Sequence, residues 1–370
     1  VSLGDIKVGG DWTRTSSGNF YPNNRAVYFT GNTDQNVSRT GGGIETFSYF
    51  IVDKPNSGTY VKPNNSVGDP TDITISGTSG NVLQLINNGS LDLNGRTVTL
   101  DANSSISAAG FIYVNGARTI TNSQGINSGK FEIKSSSNQN EPTWFTKSVA
   151  NNAGVGSLIF DDKVVVTIGD GQMDFGQSSG VNLTTIQGVL QVNLGGSVAY
   201  NSCYYSVSPA STLRFSNTID YQVNATDLTW AAGSIYSGLP GIPYNVDVDI
   251  SGTDLTINST RAVRNNLTIT DGSLTLAPAT GNFYIGGNWS RSGATSAFND
   301  NANYVEFGGN QDQTITCSAN GNKETFFGLT INNTDPTPQV SLIGSTSVEV
   351  KEQLNLISGI VTTGSNEVYV

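Results

Sequence analysis

Short runs of alternating apolar and polar residues recur along the whole chain and are its main structural signal. Each run spans four to six residues and is bounded by Gly, Asn, Asp or Ser, which form turns readily. Such a run predicts a β-strand with one aliphatic row facing a core and one row of Thr, Asn or Asp facing solvent. Sustained 3.6-residue periodicity is absent, so the sequence predicts an all-β protein. Examples are Asp72–Ser76, Arg96–Leu100, Lys130–Lys134, Lys163–Ile168, Leu190–Leu194 and Asn245–Ile250.

A long internal repeat relates the beginning of the chain to its last third. Val8–Arg14 (VGGDWTR) returns as Ile285–Arg291 (IGGNWSR), and further landmarks follow in the same order. The offsets of three aromatic pairs are 277 for Trp12 and Trp289, 278 for Phe29 and Phe307, and 279 for Phe47 and Phe326. The two copies therefore differ by single-residue slips. A module repeated in this way is typical of a repeat protein, which provides length and an extended surface rather than one chemical centre.

A turn signature gives a second, shorter repeat. Asn88–Leu93 matches Asp271–Leu276, with a weaker instance at Ser358–Val361, and Asn-Gly or Asp-Gly favours the backbone that turns a strand. Two spacings, 83 from Tyr244 to Phe327 and 87 from Gly272 to Gly359, fit either a few coils of a β-helix or one β-sandwich domain. Because the strands are short and closely punctuated, the sequence favours a right-handed parallel β-helix (β-solenoid), with tandem β-sandwich modules as the alternative.

The landmarks also predict the domain organisation. Residues 1–100 form one β-helix repeat module, and residues 244–370 form another that is expected to continue beyond the fragment. Residues 101–243 retain the short alternating runs and the turn residues but lack the repeated landmarks. We expect them to form divergent β-helix coils with loops.

Composition and charge exclude several classes of protein. The net charge is −11 and no cluster of Lys or Arg occurs, so nucleic acid is not an expected partner. No run of apolar residues is long enough for a membrane span, so no membrane insertion is expected in this segment. Cys203 and Cys317 are interpreted as small buried hydrophobes rather than a disulfide. Val1 opens the chain in place of Met, which suggests a piece of a longer mature protein.

Tryptophans are the first candidates for ligand contact. Trp12 and Trp289 occupy equivalent places beside Gly-Gly, which favours packing over sugar stacking. Trp144 and Trp230 lie in the irregular middle of the chain. They are the candidate ligand contacts of this sequence.

Carboxylates are the residues most suited to catalysis. Asp247 and Asp249 would project from one face of a strand, and a second acidic group lies within Asp161–Asp174. A glycosidase needs a pair of carboxyl groups, and a lyase needs a base with charge neutralisation, for which Lys163 and Arg214 are the nearest basic residues. The chain contains no His and no dense cluster of Asp, Lys and Arg. We therefore expect solvated carboxylates and no catalytic residue. A β-helix polysaccharide lyase or glycoside hydrolase stays the alternative.

Metal and cofactor sites are not expected either. Asn299–Asn301 is the best calcium candidate, but it fits an ordinary Asx-rich turn better, and no EF-hand loop or calcium-binding nonapeptide series occurs. Catalytic zinc is improbable without His. No glycine-rich phosphate loop precedes a helix.

The repeat landmarks resemble the tandem repeats of very large secreted surface proteins of Bacteroidota. The residues that carry the resemblance are Gly286–Trp289 (GGNW), Val305–Gly309 (VEFGG), Gln313–Ile315 (QTI) and Thr325–Asn333 (TFFGLTINN). The resemblance covers roughly 8–100 and 244–370. The first copy follows it more loosely, since Ser48–Val52 replaces the Asn-Leu-Thr-Ile core.

The resemblance implies an adhesin-like or filament-forming protein exported by the type IX secretion system, with gliding motility or cell adhesion as the roles of such proteins. The expected function is a structural or adhesive segment, displayed on a rigid rod at the cell surface of a Gram-negative bacterium, and not an enzyme. Expected partners are neighbouring modules of the same chain, further copies in a homo-oligomer or filament, and cell-surface glycans. A glycan-binding β-sandwich stalk is the third alternative.

Overall fold

The computed structural model describes most of the chain, and the account below is confined to that part. The described residues are 4–77, 80–102, 111–114, 120–121, 123–124, 131–135, 158–160, 162, 165–168, 172–173, 184–193, 195–198, 202–224, 226–233, 239–279, 281–334 and 337–370. The chain divides into two compact units, Val1–Leu190 with Gly196–Cys203, and Gln191–Gly195 with Tyr204–Val370. The boundaries predicted at residues 100 and 243 lie inside these units.

Strands make up almost all of the regular structure. The earlier strands are β1 (Ile6–Val8), β2 (Trp12–Arg14), β3 (Ala26–Phe29), β4 (Gln35–Arg39), β5 (Gly43–Phe47), β6 (Tyr49–Lys54), β7 (Tyr60–Pro63), β8 (Thr71–Ile75), β9 (Asn81–Asn87), β10 (Ser90–Asp92), β11 (Val98–Ala102), β12 (Phe111–Val114), β13 (Ile120–Thr121), β14 (Phe131–Ser135), β15 (Leu158–Phe160), β16 (Val165–Ile168), β17 (Gln172–Met173), β18 (Thr185–Ile186), β19 (Val189–Val192) and β20 (Ser197–Val198). The later strands are β21 (Tyr204–Tyr205), β22 (Thr212–Phe215), β23 (Tyr221–Val223), β24 (Asn245–Ile257), β25 (Arg261–Val263), β26 (Leu267–Leu276), β27 (Phe283–Ile285), β28 (Trp289–Arg291), β29 (Ala297–Asn299), β30 (Tyr304–Phe307), β31 (Gln313–Cys317), β32 (Lys323–Asn332), β33 (Gln339–Leu342), β34 (Ser347–Ser358), β35 (Ile360–Thr362) and β36 (Val368–Tyr369). A short 3₁₀ turn covers Asn320–Asn322.

In the first unit the chain passes through three parallel sheets in rotation. One sheet has the order β1-β3-β6-β9-β12, the second β2-β4-β7-β10-β13, and the third includes β5-β8-β11-β14-β15-β18. Each coil of the chain thus adds one strand to each sheet, as in the sequence β6, β7, β8 followed by β9, β10, β11. This is a β-solenoid, and the predicted fold class is confirmed.

Alternation places the core between these sheets. In register, Val27 pairs with Phe50 and Phe50 with Leu83, and all three side chains are buried. Tyr28 and Gln84, the next residues in β3 and β9, face outwards and are more exposed, as the period of two requires, whereas Ile51 between them in register is itself buried. Each coil therefore continues the apolar columns of the coil before it.

The second unit is built from two long parallel sheets. Their orders are β22-β24-β26-β28-β31-β33-β35 and β25-β27-β30-β32-β34-β36, with β23 beside β24 and β29 beside β26. Every strand pairing determined within the described residues is parallel. This excludes the tandem β-sandwich alternative for these residues, since sandwich sheets are antiparallel.

The Asp-Gly signature marks a corner, as predicted. β26 pairs with β28 through its first half and with β29 through its second half, and Asp271-Gly272 lies between the two halves. Gly272 has φ +73°, and a Cβ there would lie 2.1 Å from the carbonyl oxygen of Ile250. Only glycine fits this turn.

Cys203 and Cys317 are both buried, and neither forms a disulfide. The interpretation of the two cysteines as small core residues is confirmed.

Candidate functional site

The repeated Trp element forms a three-residue cluster with an arginine and a glutamate. In the first cluster, Trp12 Nε1 donates to Glu45 Oε1 at 3.2 Å and Arg14 Nε donates to Glu45 Oε2 at 2.6 Å. Arg14 Nη1 also donates to the carbonyl oxygen of Gly18 at 2.6 Å. Trp12 packs edge-on against Phe20 and Phe47, at centroid distances of 4.8 and 5.4 Å.

The second cluster reproduces these bonds. Trp289 Nε1 and Arg291 Nε donate to Glu324 Oε2 at 2.9 and 2.8 Å. Arg291 Nη1 donates to Ser296 O at 2.9 Å and Nη2 to Lys323 O at 3.0 Å. Trp289 is fully buried, so it packs in the core as predicted. The Arg and Glu partners were not singled out from the sequence, although both belong to the repeated landmarks.

A buried glutamine supports the same corner in each copy. Gln35 Nε2 donates to Val8 O and Gly10 O, and Gln313 Nε2 donates to Ile285 O and Gly287 O. These bonds join one coil to the coil before it. Val8 O and Ile285 O also accept the backbone N–H groups of Thr30 and Gly308, so the glutamine adds a second bond at these two carbonyl groups.

Lys54 distinguishes the first copy. Its side chain is fully buried, and Nζ donates to Thr33 O at 2.9 Å and to Gln35 Oε1 at 2.5 Å. Burial lowers the pKa of Lys54 to about 8. Asn333 holds the equivalent position of the second copy, and Gln313 Oε1 lacks a hydrogen-bond partner in the described structure.

Trp230, a candidate ligand contact, is a core residue. Its side chain is fully buried, and its Nε1 donates to Ala262 O at 2.9 Å. The ring packs between Phe215 and Phe283, at centroid distances of 6.1 and 5.8 Å. Burial removes the indole face from any surface ligand. Trp144, the other candidate, lies outside the described residues.

The acidic candidates do not converge in the described structure. Asp247 forms an ion pair with Arg214 at 2.9 Å, and Asp249 is exposed on the same strand. Asp162 is exposed, while Asp161, Lys163, Asp170 and Asp174 lie outside the described residues.

The Asn299–Asn301 candidate belongs to a turn. Asp300 accepts backbone N–H groups of Ala302 and Phe327, and Asn301 Nδ2 donates to Leu276 O. Within the described residues, no three His, Cys, Asp or Glu side chains converge in a way that would hold a metal ion.

Asn and Asp side chains instead join successive coils. Asp11 Oδ1 accepts the N–H of Asn36 at 2.7 Å, and Asp312 Oδ1 accepts the N–H of Gln339 at 3.0 Å. Asp34 and Asp72 make the same bond to Tyr60 and Thr97. The abundance of Asx residues is thereby explained by the corners of the coils.

Among the described residues, a groove of about 420 Å³ on the second unit offers a candidate binding site. It crosses three stacked corners, residues 264–266, 286–288 and 308–310, which recur every 22 residues. A Cβ on Gly286 would lie 2.3 Å from Arg264 O, and one on Gly309 would lie 2.3 Å from Gly286 O. The backbones approach too closely for side chains here, and the surface is therefore concave. We call this surface the glycine groove.

Asparagines line the glycine groove in a column. Asn266 Oδ1 accepts the N–H of Asn288 at 2.9 Å, and Asn288 Oδ1 accepts the N–H of Thr314 at 2.8 Å. The coil contacts therefore use the carboxamide oxygens. The Nδ2 groups of these two residues donate no hydrogen bond to any described residue, and each can donate to a ligand.

The two ends of the glycine groove carry opposite charges. At one end, the Arg264 guanidinium lies 6.0 Å from the ring of Tyr204 and 5.8 Å from that of Tyr244, and Nη1 donates to Tyr205 O at 3.2 Å. In the described part of the chain no carboxylate forms an ion pair with Arg264. At the other end lies the exposed carboxylate of Asp312.

No protein-family model, curated protein or solved structure matches this chain. Among the residues that the structure describes, none forms a helix with the length and hydropathy needed to cross a membrane.

Proposed function

We propose that the chain is a structural and adhesive segment of a large extracellular surface protein, which presents a polar surface for attachment on a rigid repeat scaffold. The observation that carries this proposal is the Trp–Arg–Glu cluster, built twice with the same bonds. In both copies the charged and aromatic side chains of the cluster form hydrogen bonds that join one coil to the next. This use of buried polar groups suits a scaffold.

The cellular setting of the proposal depends on the resemblance to Bacteroidota repeat proteins. On that basis we place the protein at the surface of a Gram-negative bacterium, exported by the type IX system, with gliding or cell adhesion as its context. The partners we propose are neighbouring modules, further copies of the chain and cell-surface glycans.

Adhesion is tested with beads coated with the purified 370-residue chain. We expect them to be retained on bacterial cells or on polysaccharide-coated glass under flow, while beads coated with albumin are washed away. Equal loss of both kinds of bead would contradict the adhesive part of the proposal.

The enzyme alternative has its own test. The chain is incubated with acidic and neutral polysaccharides, and bond cleavage is followed by the release of reducing ends and of unsaturated products. We expect no cleavage. Cleavage by the wild type that is lost in Asp161→Ala or Asp249→Ala would show that the chain is an enzyme and would overturn the scaffold proposal.

A further inference from the structure

The glycine groove has features that a scaffold alone does not need. Its volume of about 420 Å³ lies in the range of ligand sites, roughly 300–1,000 Å³. Its lining combines the Arg264 guanidinium, the aromatic ring of Tyr244 and the free amide donors of Asn266 and Asn288. We propose that it binds a linear acidic oligosaccharide, which lies along the stacking direction of the coils with a carboxylate at Arg264.

The spacing of the donors carries the first part of the argument. Neighbouring parallel strands lie about 4.8 Å apart. This repeat is close to the advance of one sugar residue along an extended polysaccharide. Asn266 and Asn288, on successive coils, offer one free Nδ2 group per step, and sugar hydroxyl groups accept such bonds.

The charge at Arg264 carries the second part. Arg264 is the one basic residue among the described residues that line the glycine groove, and the chain as a whole has a net charge of −11. Tyr204 and Tyr244 restrict the guanidinium, and a planar, fixed guanidinium suits bidentate binding of a carboxylate. Asp312 at the far end would repel a second acidic group. The ligand therefore carries its charge at the Arg264 end.

The first copy supplies a natural comparison. Asp11 stands where the second copy has Asn288, and it makes the same backbone bond, to Asn36 N at 2.7 Å. Asn288→Asp should therefore keep the coil contact, while it replaces the free amide donor by a carboxylate oxygen. Asn288→Asp therefore tests ligand binding with a residue that the first copy already accommodates at the equivalent position.

The test is titration calorimetry of the full chain with a linear oligosaccharide that carries a single uronic acid, at one end, and with its methyl ester, which has the same backbone without charge. We expect the acid to bind, and Asn288→Asp and Arg264→Gln each to weaken binding about tenfold or more. Asn299→Asp, with the same change of charge outside the glycine groove, should stay within about twofold of the wild type. Circular dichroism melting of each variant confirms that it is folded.

Three outcomes would overturn the inference: no binding of the acid, equal binding of the ester, or equal affinity of Asn288→Asp and wild type. The inference rests on the proposed adhesive function, because it names what one surface contacts, and the bead assay separates the two. If beads coated with Asn288→Asp are retained as well as beads coated with wild type, the glycine groove is not the adhesive contact, although the chain is still adhesive. Binding of the acidic oligosaccharide without bead retention would keep the groove as a binding site and refute adhesion.

Discussion

The two Trp–Arg–Glu clusters have the same bonds but different exposure. The Arg14 side chain is 17% exposed, whereas that of Arg291 is 3% exposed. The reason is the position of the strand: β2 ends its sheet beside β4 alone, whereas β28 lies between β26 and β31. The residues of the motif determine the hydrogen bonds, and the neighbouring coils determine how far the bonds are desolvated. The same substitution should therefore have different effects in the two copies.

The strongest test of this comparison is removal of the glutamate. Glu324→Ala leaves the guanidinium of Arg291 buried without its carboxylate, which should lower the free energy of unfolding by about 3–5 kcal/mol. Glu45→Ala should cost about 1–2 kcal/mol, because water can reach Arg14. Urea unfolding followed by circular dichroism measures both, with the exposed Glu352→Ala as control. Equal losses would show that coil position does not matter.

Lys54 allows the second test, because Asn333 at the matching site does not titrate. With a folded pKa of about 8 and an unfolded value near 10.5, the unfolded chain binds more protons between these pH values. The contribution of Lys54 to the free energy of unfolding is therefore lowest at and below pH 8. It rises by about 3 kcal/mol up to about pH 10.5. We therefore expect the unfolding free energy of the wild type, relative to that of Lys54→Met, to rise by this amount between pH 8 and pH 10.5. A difference that is constant from pH 7 to 10.5 would show that the lysine is not desolvated.

The glycine corner gives the smallest of the three effects. Gly286→Ala would place a Cβ 2.3 Å from Arg264 O, which should cost about 1–3 kcal/mol by overpacking. Gly9 is the equivalent residue of the first copy, and a Cβ there would meet nothing within 4 Å, so Gly9→Ala should change stability by less than about 0.5 kcal/mol. Thermal melting of both variants measures the contrast. A matching loss in Gly9→Ala would mean that backbone conformation, not the close approach of coils, requires the glycine.

The coil architecture was predictable from the sequence because its signals are local. Alternation within four to six residues places side chains inwards or outwards, and Gly272 marks a corner by its own backbone preference. The repeat offsets then indicated that coils recur. None of these inferences required the identity of distant partners.

The contacts of the candidate site depend on distant residues and were harder to predict. Arg14 and Glu45 are 31 residues apart. They meet only because a coil of 25 residues pairs Arg14 with Arg39 of β4, and Glu45 follows in the next strand, β5. Trp230 lies in a stretch without landmarks, so nothing local indicated its contact with Ala262, 32 residues away. The glycine groove likewise emerges only when corners 22 residues apart are stacked.

The looser first copy has a physical explanation that only paired strands show. In the second copy Tyr304 pairs with Gly328, and a Cβ on that glycine would lie 2.2 Å from the Tyr304 ring. In the first copy the paired residues are Ala26 and Tyr49, so the aromatic ring comes from the other strand. The departure at Ser48–Val52 is therefore in part an exchange of large and small residues across two coils.

The slips in the repeat record where this fold accepts new residues. The offset changes from 277 to 278 between Arg14 and Phe20, which corresponds to Phe298, and from 278 to 279 between Gln35 and Glu45. The strands that carry Arg14, Gln35 and Glu45 have counterparts in the second copy. Both insertions fall in the segments that connect strands. The connecting segments therefore accommodate an added residue, whereas an insertion at the corner of Gly286 would disturb its close contacts with the corners before and after it.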